Sequence, residues 1–515
     1  MTNSKQKHGE YIKYDDTGRI TNIDWYTNGN HDCSLEVSDG EHSYNHGNDT
    51  LWQKYTLKDG KPDGDWVLYH SNGQMSIYRN HKNGLRNGIW KSWYDDGSQW
   101  DEQTYSNGKR EGTSKGWYYD EIPEYEGQYK NNKKDGKWLY FHLDGKLSIE
   151  EIYENGLRQG GWKSWHANEE QWTEESYVDG KKDGASKKWR WDGVPEYEGQ
   201  YKDDKKDGEW IYYYDNGKKE YQGKYENGKR IGKWIVFDEH SEKKCGELNY
   251  KNGKLDGEYV EFNGDLIILT GQYKSDKKIG KWIYINDNKK IGKEENYRSG
   301  KLSGDYKEWH PTGEKWKEYK YKNGLLHGLS LVYHLNGNIF SSVKYEKSLK
   351  VGEWVSFHSN GKKEASGQYK DDNQIGLWEE WYKDGVKKKS GNYKNGKKVN
   401  EWNGWYNDGG KWFISNYDTN GNRIGEWTEY HFGGKVKLVK YYDKDEMTGN
   451  WNEWFMNGMR RASGIMNDGK MSGNWTFWYQ NGQKELECEF NAGIACGVSK
   501  VYHDSGILKE KIVNV

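Results

Sequence analysis

Residues 208–232 read GEWIYYYDNGKKEYQGKYENGKRIG. One aromatic run ends in Asp215-Asn216-Gly217-Lys218, and a second ends in Glu226-Asn227-Gly228-Lys229. Asn-Gly between short aromatic or alternating runs is the strongest short-range hairpin signal, because a type I′ turn needs two residues that accept positive φ. The stretch is expected to form two β-strands and two tight turns.

The rest of the chain repeats it. The glycine that opens each Gly-x-Trp recurs every 24 residues from Gly64 to Gly497, with one-residue shifts around Gly257 and between Asn400 and Gly425. Gly9 and Gly40 open two degenerate units, giving 21 registers in all. Two residues after the opening glycine stands a tryptophan column: Trp66, Trp90, Trp138, Trp162, Trp210, Trp234, Trp282, Trp354, Trp378, Trp402, Trp427, Trp451 and Trp475. A second aromatic follows at the fifth position, as in Trp93, Phe141 and Tyr213, and a turn glycine at the ninth. The second and fifth positions have opposite strand parity, so regular strands put aromatics on both faces, whereas a bulge would gather them on one; both arrangements stay open. A period of this length marks serial duplication of one supersecondary module.

Composition agrees. Mean hydropathy is −1.28, yet the chain holds 29 Trp, 43 Tyr and 10 Phe. Disordered chains are poor in aromatics, and with aliphatics scarce the stability must come from packed rings. The 65 glycines against 4 prolines suit many tight turns between paired strands. A net charge of −2 lacks the bulk basic charge of nonspecific nucleic-acid binders, so nucleic acid is not expected as a partner. No apolar leader or long apolar run is present, and Cys33, Cys245, Cys488 and Cys496 show no framework spacing; a cytoplasmic, reduced chain is expected.

The units resemble MORN repeats, in the variant of the YwqK-type antitoxin-like family, across about residues 50–510. Tyr201 to Gly217, and Tyr225 to Lys233 with Trp234 and Phe237, carry the resemblance. It implies an extended, twisted antiparallel sheet acting as scaffold or binding surface. Departures are Ser114, Ser186, Ser330 and Ser499 in the tryptophan column and Asn400 in the glycine column, where bends or irregularity are expected.

Candidate chemistry is sparse. Eight histidines (His70, His142, His166, His310, His334, His358, His431, His503) share the sixth position with tyrosines, which marks a half-polar packing site; neighbours ~9.6 Å apart cannot share one metal ion. His31, Cys33, His42 and His46 cluster in an irregular insertion with spacings zinc tolerates, but an atypical capping repeat looks the same, so no metal is assigned. No nucleophile elbow, phosphate loop or zincin motif occurs, and neither catalysis nor a cofactor is expected. Basic pairs enter many units (Lys109-Arg110, Lys133-Lys134, Lys181-Lys182, Lys205-Lys206, Lys229-Arg230, Lys277-Lys278, Lys397-Lys398). They read as solvated turns partly neutralised by Asp135, Asp183 and Asp207, with anionic lipid as the less favoured alternative.

The expected fold is all-β: an elongated repeat array, a single twisted antiparallel meander of about 21 two-stranded units, with residues 1–50 as degenerate capping repeats and 51–515 as the continuous array. The expected function is a non-enzymatic scaffold for protein partners. The alternatives are an antitoxin-like protein neutralising a toxin, or a binder of anionic membrane or glycan surfaces; self-association through sheet edges is a further possibility.

Overall fold

The computed structural model describes residues 9–14, 20–27, 30–35, 38–46 and 49–514; in the first three segments, side chains are described only at Lys13 and residues 21–24. The chain divides into two compact units, Met1–Leu255 and Asp256–Val515. Each is an antiparallel meander. In the first, the strands from Gly40–Asn45 to Lys244–Lys251 pair in chain order, the two-residue strands Leu85–Arg86 and Leu157–Arg158 pairing only with the strand before them; in the second the same pattern continues to Leu508–Asn514.

The expected continuous sheet needs one correction. Strands Gly9–Tyr14, Ile20–Thr27 and Asn30–Leu35 form a separate three-stranded sheet. The insertion in this degenerate unit supplies the third strand, Asn30–Leu35, which pairs back onto Ile20–Thr27 rather than onward. Ile23 from this sheet joins Tyr55, Leu57, Trp66 and Leu68 in a buried cluster.

The turns are the ones that the dipeptides dictate. At Asn227-Gly228 the φ values are +50° and +79°, and Glu226 pairs with Lys229 across a two-residue type I′ connection. At the other end of the strand, Gly217 N–H donates to Tyr214 O (3.0 Å) and Tyr214 N–H to Lys218 O (2.8 Å). Gly217 has φ +80° there, which makes a type I turn closed by a glycine bulge. Some units put two non-glycine residues at the positive-φ pair, and the second side chain then reaches back to the preceding unit. Asn132, Asp204, Asp372 and Asp445 each accept the backbone N–H of Arg110, Lys182, Lys350 and Arg423 at 2.7–2.9 Å.

The parity question resolves to aromatics on both faces. Trp210, Tyr212, Tyr221 and Tyr225 share one face, with Tyr212–Tyr221 centroids 4.5 Å apart. Tyr213 lies on the other, its hydroxyl donating to Glu198 (2.7 Å). A bulge does exist, but earlier in the unit. Glu198 pairs with Ile211 and Gln200 with Asp207, so Gly199 alone faces Gly208, Glu209 and Trp210. Lys206 and Trp210, four residues apart on one strand, share a face across it.

Strand pairing runs through the serine substitutions and Asn400. Strands Lys109–Trp117, Lys181–Trp189, Gly328–Tyr333, Ile494–Tyr502 and Lys397–Trp405 are each continuous through those positions. Asn400 adopts φ +60°, which asparagine tolerates better than most residues, and still pairs with Tyr417.

Candidate interaction surface

The tryptophan column is a packing device with a size rule. Gly127, Gly199, Gly223, Gly271, Gly367, Gly391 and Gly464 each stand eleven residues before a tryptophan, and a Cβ on any of them would lie 2.1–2.3 Å from that ring. The seven partners, Trp138, Trp210, Trp234, Trp282, Trp378, Trp402 and Trp475, are all buried. Where the facing residue is larger, one of two things happens. Opposite Gln103, Glu175, Tyr319 and Cys488 the column holds the buried serines Ser114, Ser186, Ser330 and Ser499. Opposite Arg79, Glu151, Val343, Ser415 and Lys440, Trp90, Trp162, Trp354, Trp427 and Trp451 are only half-buried. Trp66 departs from the rule: it is buried on Tyr55, with ring centroids 4.6 Å apart, in the cluster shared with Ile23.

A seated tryptophan is ringed on every side. Trp210 meets Tyr201 and Tyr225 edge-on (5.2 and 5.8 Å), its indole N–H donates to Gln200 O (3.0 Å), and Lys206 Nζ lies 4.2 Å from a ring centroid. Trp138, Trp234, Trp282 and Trp402 likewise carry Lys134, Arg230, Lys278 and Lys398 at 4.0–4.5 Å. Such cation–π contacts contribute about 0.5–2 kcal/mol, depending on desolvation. The basic pairs, read above as solvated turns, are therefore solvated only in part. The first member of each basic pair is exposed, and the second folds over the aromatic face, where burial lowers the pKa of Lys134, Lys206, Lys278 and Lys398. The acids after the pair also act beyond charge: Asp135 and Asp207 accept the backbone N–H of the next unit's turn residues, Asn155 (3.2 Å) and Asn227 (3.5 Å).

The histidine column explains its alternation with tyrosine. His70, His142, His334, His358 and His431 place Nε2 within 2.7–3.1 Å of the carbonyl of the fifth-position aromatic one unit on. Tyr94, Tyr214, Tyr382 and Tyr479 donate their hydroxyls to the equivalent carbonyl at 2.9–3.2 Å. Either residue supplies one donor at the same reach. At His166 that nitrogen is buried and finds no partner among the described residues. Asn72, Asn168, Asn216, Asn336, Asn360, Asn457 and Asn481 add a parallel ladder, each Nδ2 donating to a turn carbonyl of the following unit. We expect His358→Phe to cost about 1 kcal/mol and His358→Tyr to be neutral, measured by thermal melts; equal losses in both variants would show that the hydrogen bond to Trp381 contributes nothing.

His81 occupies a tyrosine position between Trp66 and Trp90, at 6.0 and 5.1 Å. Burial first, then Arg79 and Arg86, lowers its pKa to about 4. The unfolded chain binds this proton below about pH 6.5 while the folded chain refuses it until about pH 4, so stability falls as pH drops through that window. The loss is expected to reach about 2–3 kcal/mol. His81→Tyr should flatten this part of a melting-temperature profile between pH 7 and 4; an unchanged profile would refute the assignment.

The remaining metal candidates stay apart. His42 Nε2 lies 2.6 Å from Ser38 O and His46 Nε2 3.0 Å from Tyr69 O. The side chains of His31 and Cys33 lie outside the described residues. Among the described residues no cluster of three or more His, Cys, Asp or Glu is placed to hold a metal ion. Cys245, Cys488 and Cys496 form no disulfide among the described residues.

A different aromatic row is left open. Twelve residues after the opening glycine, Trp100 and Trp172 in the first unit and Trp316 and Phe340 in the second are 40–51 % exposed. Trp100 falls at a one-residue register shift between Gln99, paired with Trp93, and Asp101, paired with Ser92; Trp316, at the same point of its own rung, has Lys317 Nζ 3.6 Å from its ring centroid. Each ring leans on the sixth-position residue: Tyr94–Trp100 6.0 Å, His166–Trp172 5.4 Å, His310–Trp316 5.4 Å, His334–Phe340 5.1 Å. Nearby turn residues Tyr119, Trp191 and Phe432 are also exposed. The face opposite the buried column carries cross-strand ion pairs, among them Lys91–Glu102, Lys137–Glu150 and Lys281–Glu294 at 2.9–3.0 Å, which leave it near neutral. Sequence reading missed this row because its aromatics occur in only some units, where a column count shows nothing. The Gln-Trp pairs Gln99-Trp100 and Gln171-Trp172 were the available signal.

Fold and columns together define an all-β repeat protein built from aromatic hairpin rungs. Five segments match the MORN repeat variant model: residues 134–155, 206–227, 350–371, 374–395 and 471–492. Each match runs from the second residue before the opening glycine to the first residue of the next two-residue turn. The comparison with curated proteins gives no match. Among solved structures, the crystal structure of TcdB2-TccC3-Cdc42 is 9% identical, covering 100% of this chain and 31% of that one, with a TM-score of 0.13. TcdB2-TccC3-TEV is 11% identical, covering 98% and 28%, with a TM-score of 0.14. The chain thus spans less than a third of those chains, and TM-scores this low define no common fold. No helix among the described residues is long and apolar enough to cross a membrane.

Proposed function

We propose that the chain is a non-enzymatic cytoplasmic scaffold that holds a protein partner on its row of exposed aromatics. The observation that carries this reading is the exposed row Trp100, Trp172, Trp316 and Phe340 beside internally neutralised Lys–Glu pairs. The buried column is fully engaged in packing, so these are the aromatics available to a partner, and exposed aromatics amid polar residues are characteristic of protein recognition sites. An antitoxin-like role, suggested by the resemblance to the YwqK-type variant, is one form of the same activity in which the partner is a toxin. Anionic membranes are a poorer fit, because half of each basic pair lies over an aromatic ring rather than in solvent.

The test is affinity capture from the source cells with the intact chain and with Trp100→Ala/Trp172→Ala/Trp316→Ala. Loss of a stoichiometric partner in the triple variant, at an unchanged melting temperature, supports the proposal. Identical capture by both chains would overturn it. A second form, self-association, rests on the strand Leu508–Asn514, which pairs only with Ile494–Tyr502 among the described residues and exposes Ile512 and Val513. Sedimentation that stays monomeric at high concentration would dispose of it.

A further inference from the structure

The second one-residue shift of the repeat lies between Asn400 and Gly425, and its physical expression is the connection after strand Lys411–Tyr417. The usual two-residue turn is replaced by a longer loop in which Asp418 accepts the backbone N–H groups of Asn420 and Asn422, both at 2.8 Å. The tryptophan after this loop, Trp427, faces Ser415 instead of glycine and is only half-buried. Its ring tilts between Tyr417 (5.6 Å) and Tyr442 (5.1 Å), and its indole N–H donates to Asn416 O (3.2 Å). One strand earlier, Phe413 lies across Gly404, where a Cβ would stand 2.3 Å from the ring.

These displacements open a hollow of about 330 Å³ on the aromatic face, walled by Phe413, Ser415, Tyr417 and Trp427, with Lys389, Lys398 and Glu429 among its lining. In regular units that space is filled by a seated tryptophan. The charges are unequal. Glu380 is shared by Lys388 (4.0 Å) and Lys389 (3.8 Å), and Glu429 by Lys437 (3.6 Å) and Lys440 (3.0 Å). Lys398 makes no ion pair among the described residues and rests over Trp402 (4.5 Å) and Tyr417 (5.7 Å). Burial and the charge of Lys389 both work against its protonation, which an anion placed between the two lysines would relieve.

We propose that this hollow is a binding site for a small aromatic anion, a planar ring carrying a carboxylate or phosphate. The ring stacks among Phe413, Tyr417 and Trp427, and the anionic group meets the Nζ atoms of Lys398 and Lys389. Neither half suffices alone: an inorganic ion leaves the rings of Phe413, Tyr417 and Trp427 uncovered, and an uncharged ring leaves Lys398 without an anion. The volume falls within the range of small-molecule sites. Trp100, Trp172 and Trp316, which test the partner surface, do not line this hollow, so either proposal can fail without the other.

The experiment is titration calorimetry on the full chain with phenyl phosphate and benzoate, against benzyl alcohol and inorganic phosphate. Saturable binding of an aromatic anion is expected, at least 10-fold tighter than either half-ligand, which is 1.4 kcal/mol or more, and weakened by salt. Lys398→Met, which keeps the stem over Trp402, should lose at least 10-fold in affinity, whereas Lys206→Met in a regular rung should leave it unchanged. Lys389→Met serves as second variant, with the same expected direction, should Lys398→Met fold poorly. No saturable binding at millimolar concentration, equal binding by the lysine variants, or equal affinity for inorganic phosphate would each overturn the proposal.

Discussion

Replacing Gly391 with glutamine is expected to expel Trp402 from the sheet and to destabilise its rung by about 3–5 kcal/mol, the range for loss of a buried tryptophan. Any Cβ at residue 391 lies 2.1 Å from the indole, and the strand leaves no route by which backbone and ring can separate. Adding Trp402→Ser to the same chain should recover a large part of the loss, because the protein already builds Gln103–Ser114 and Glu175–Ser186 rungs in continuous strands. The rescue is a strong test, since two individually harmful changes rarely compensate unless they share one volume. Repeat arrays open rung by rung, so the appropriate measurement is hydrogen exchange across strands Lys387–Lys394 and Lys397–Trp405, with thermal melting as support. A double variant no better protected than Gly391→Gln alone would refute the size rule.

The second large effect separates seated from displaced tryptophans. Trp210→Ala should cost about 3–5 kcal/mol, because it removes a fully buried ring together with its contacts to Tyr201, Tyr225 and Lys206. Trp162→Ala should cost about 1–2 kcal/mol. Trp162 is half-buried, faces Glu151 instead of glycine, and its indole N–H donates to the Glu151 carboxylate (2.9 Å). Freed of the indole, Glu151 keeps its partners Arg158 (2.8 Å) and Tyr153 (2.8 Å). Local exchange rates in the two variants give the comparison. Equal losses would mean that position in the repeat, not the facing residue, sets the energy.

Both predictions rest on information already in the sequence but not along one strand of it. PEYEGQYK recurs at residues 123–130 and 195–202, and its glycine is as regular as the tryptophan it serves. Its meaning is invisible until pairing sets residue 199 beneath residue 210. The serine departures show the same limit: read along the chain they look like damage, whereas read across it each sits opposite a bulky partner. The basic turns were half legible. Their chemistry was plain, but which lysine lies over a ring depends on which face the paired strands fill with aromatics.

What the sequence by itself determined is the local grammar: all-β hairpins, 24-residue rungs, and the turn types at Asn-Gly and Asp-Asn-Gly. Those follow from φ preferences and two-residue periodicity, which act over a few residues and are written in order. What only the tertiary structure decided is which aromatics are buried and which are open. Trp210 and Trp100 are the same residue type in neighbouring columns, yet one is sealed beneath tyrosines and a lysine and the other is half in water. That difference is set by the facing strand, through excluded volume above a glycine and through the register of a bulge, and neither acts until the strands have paired.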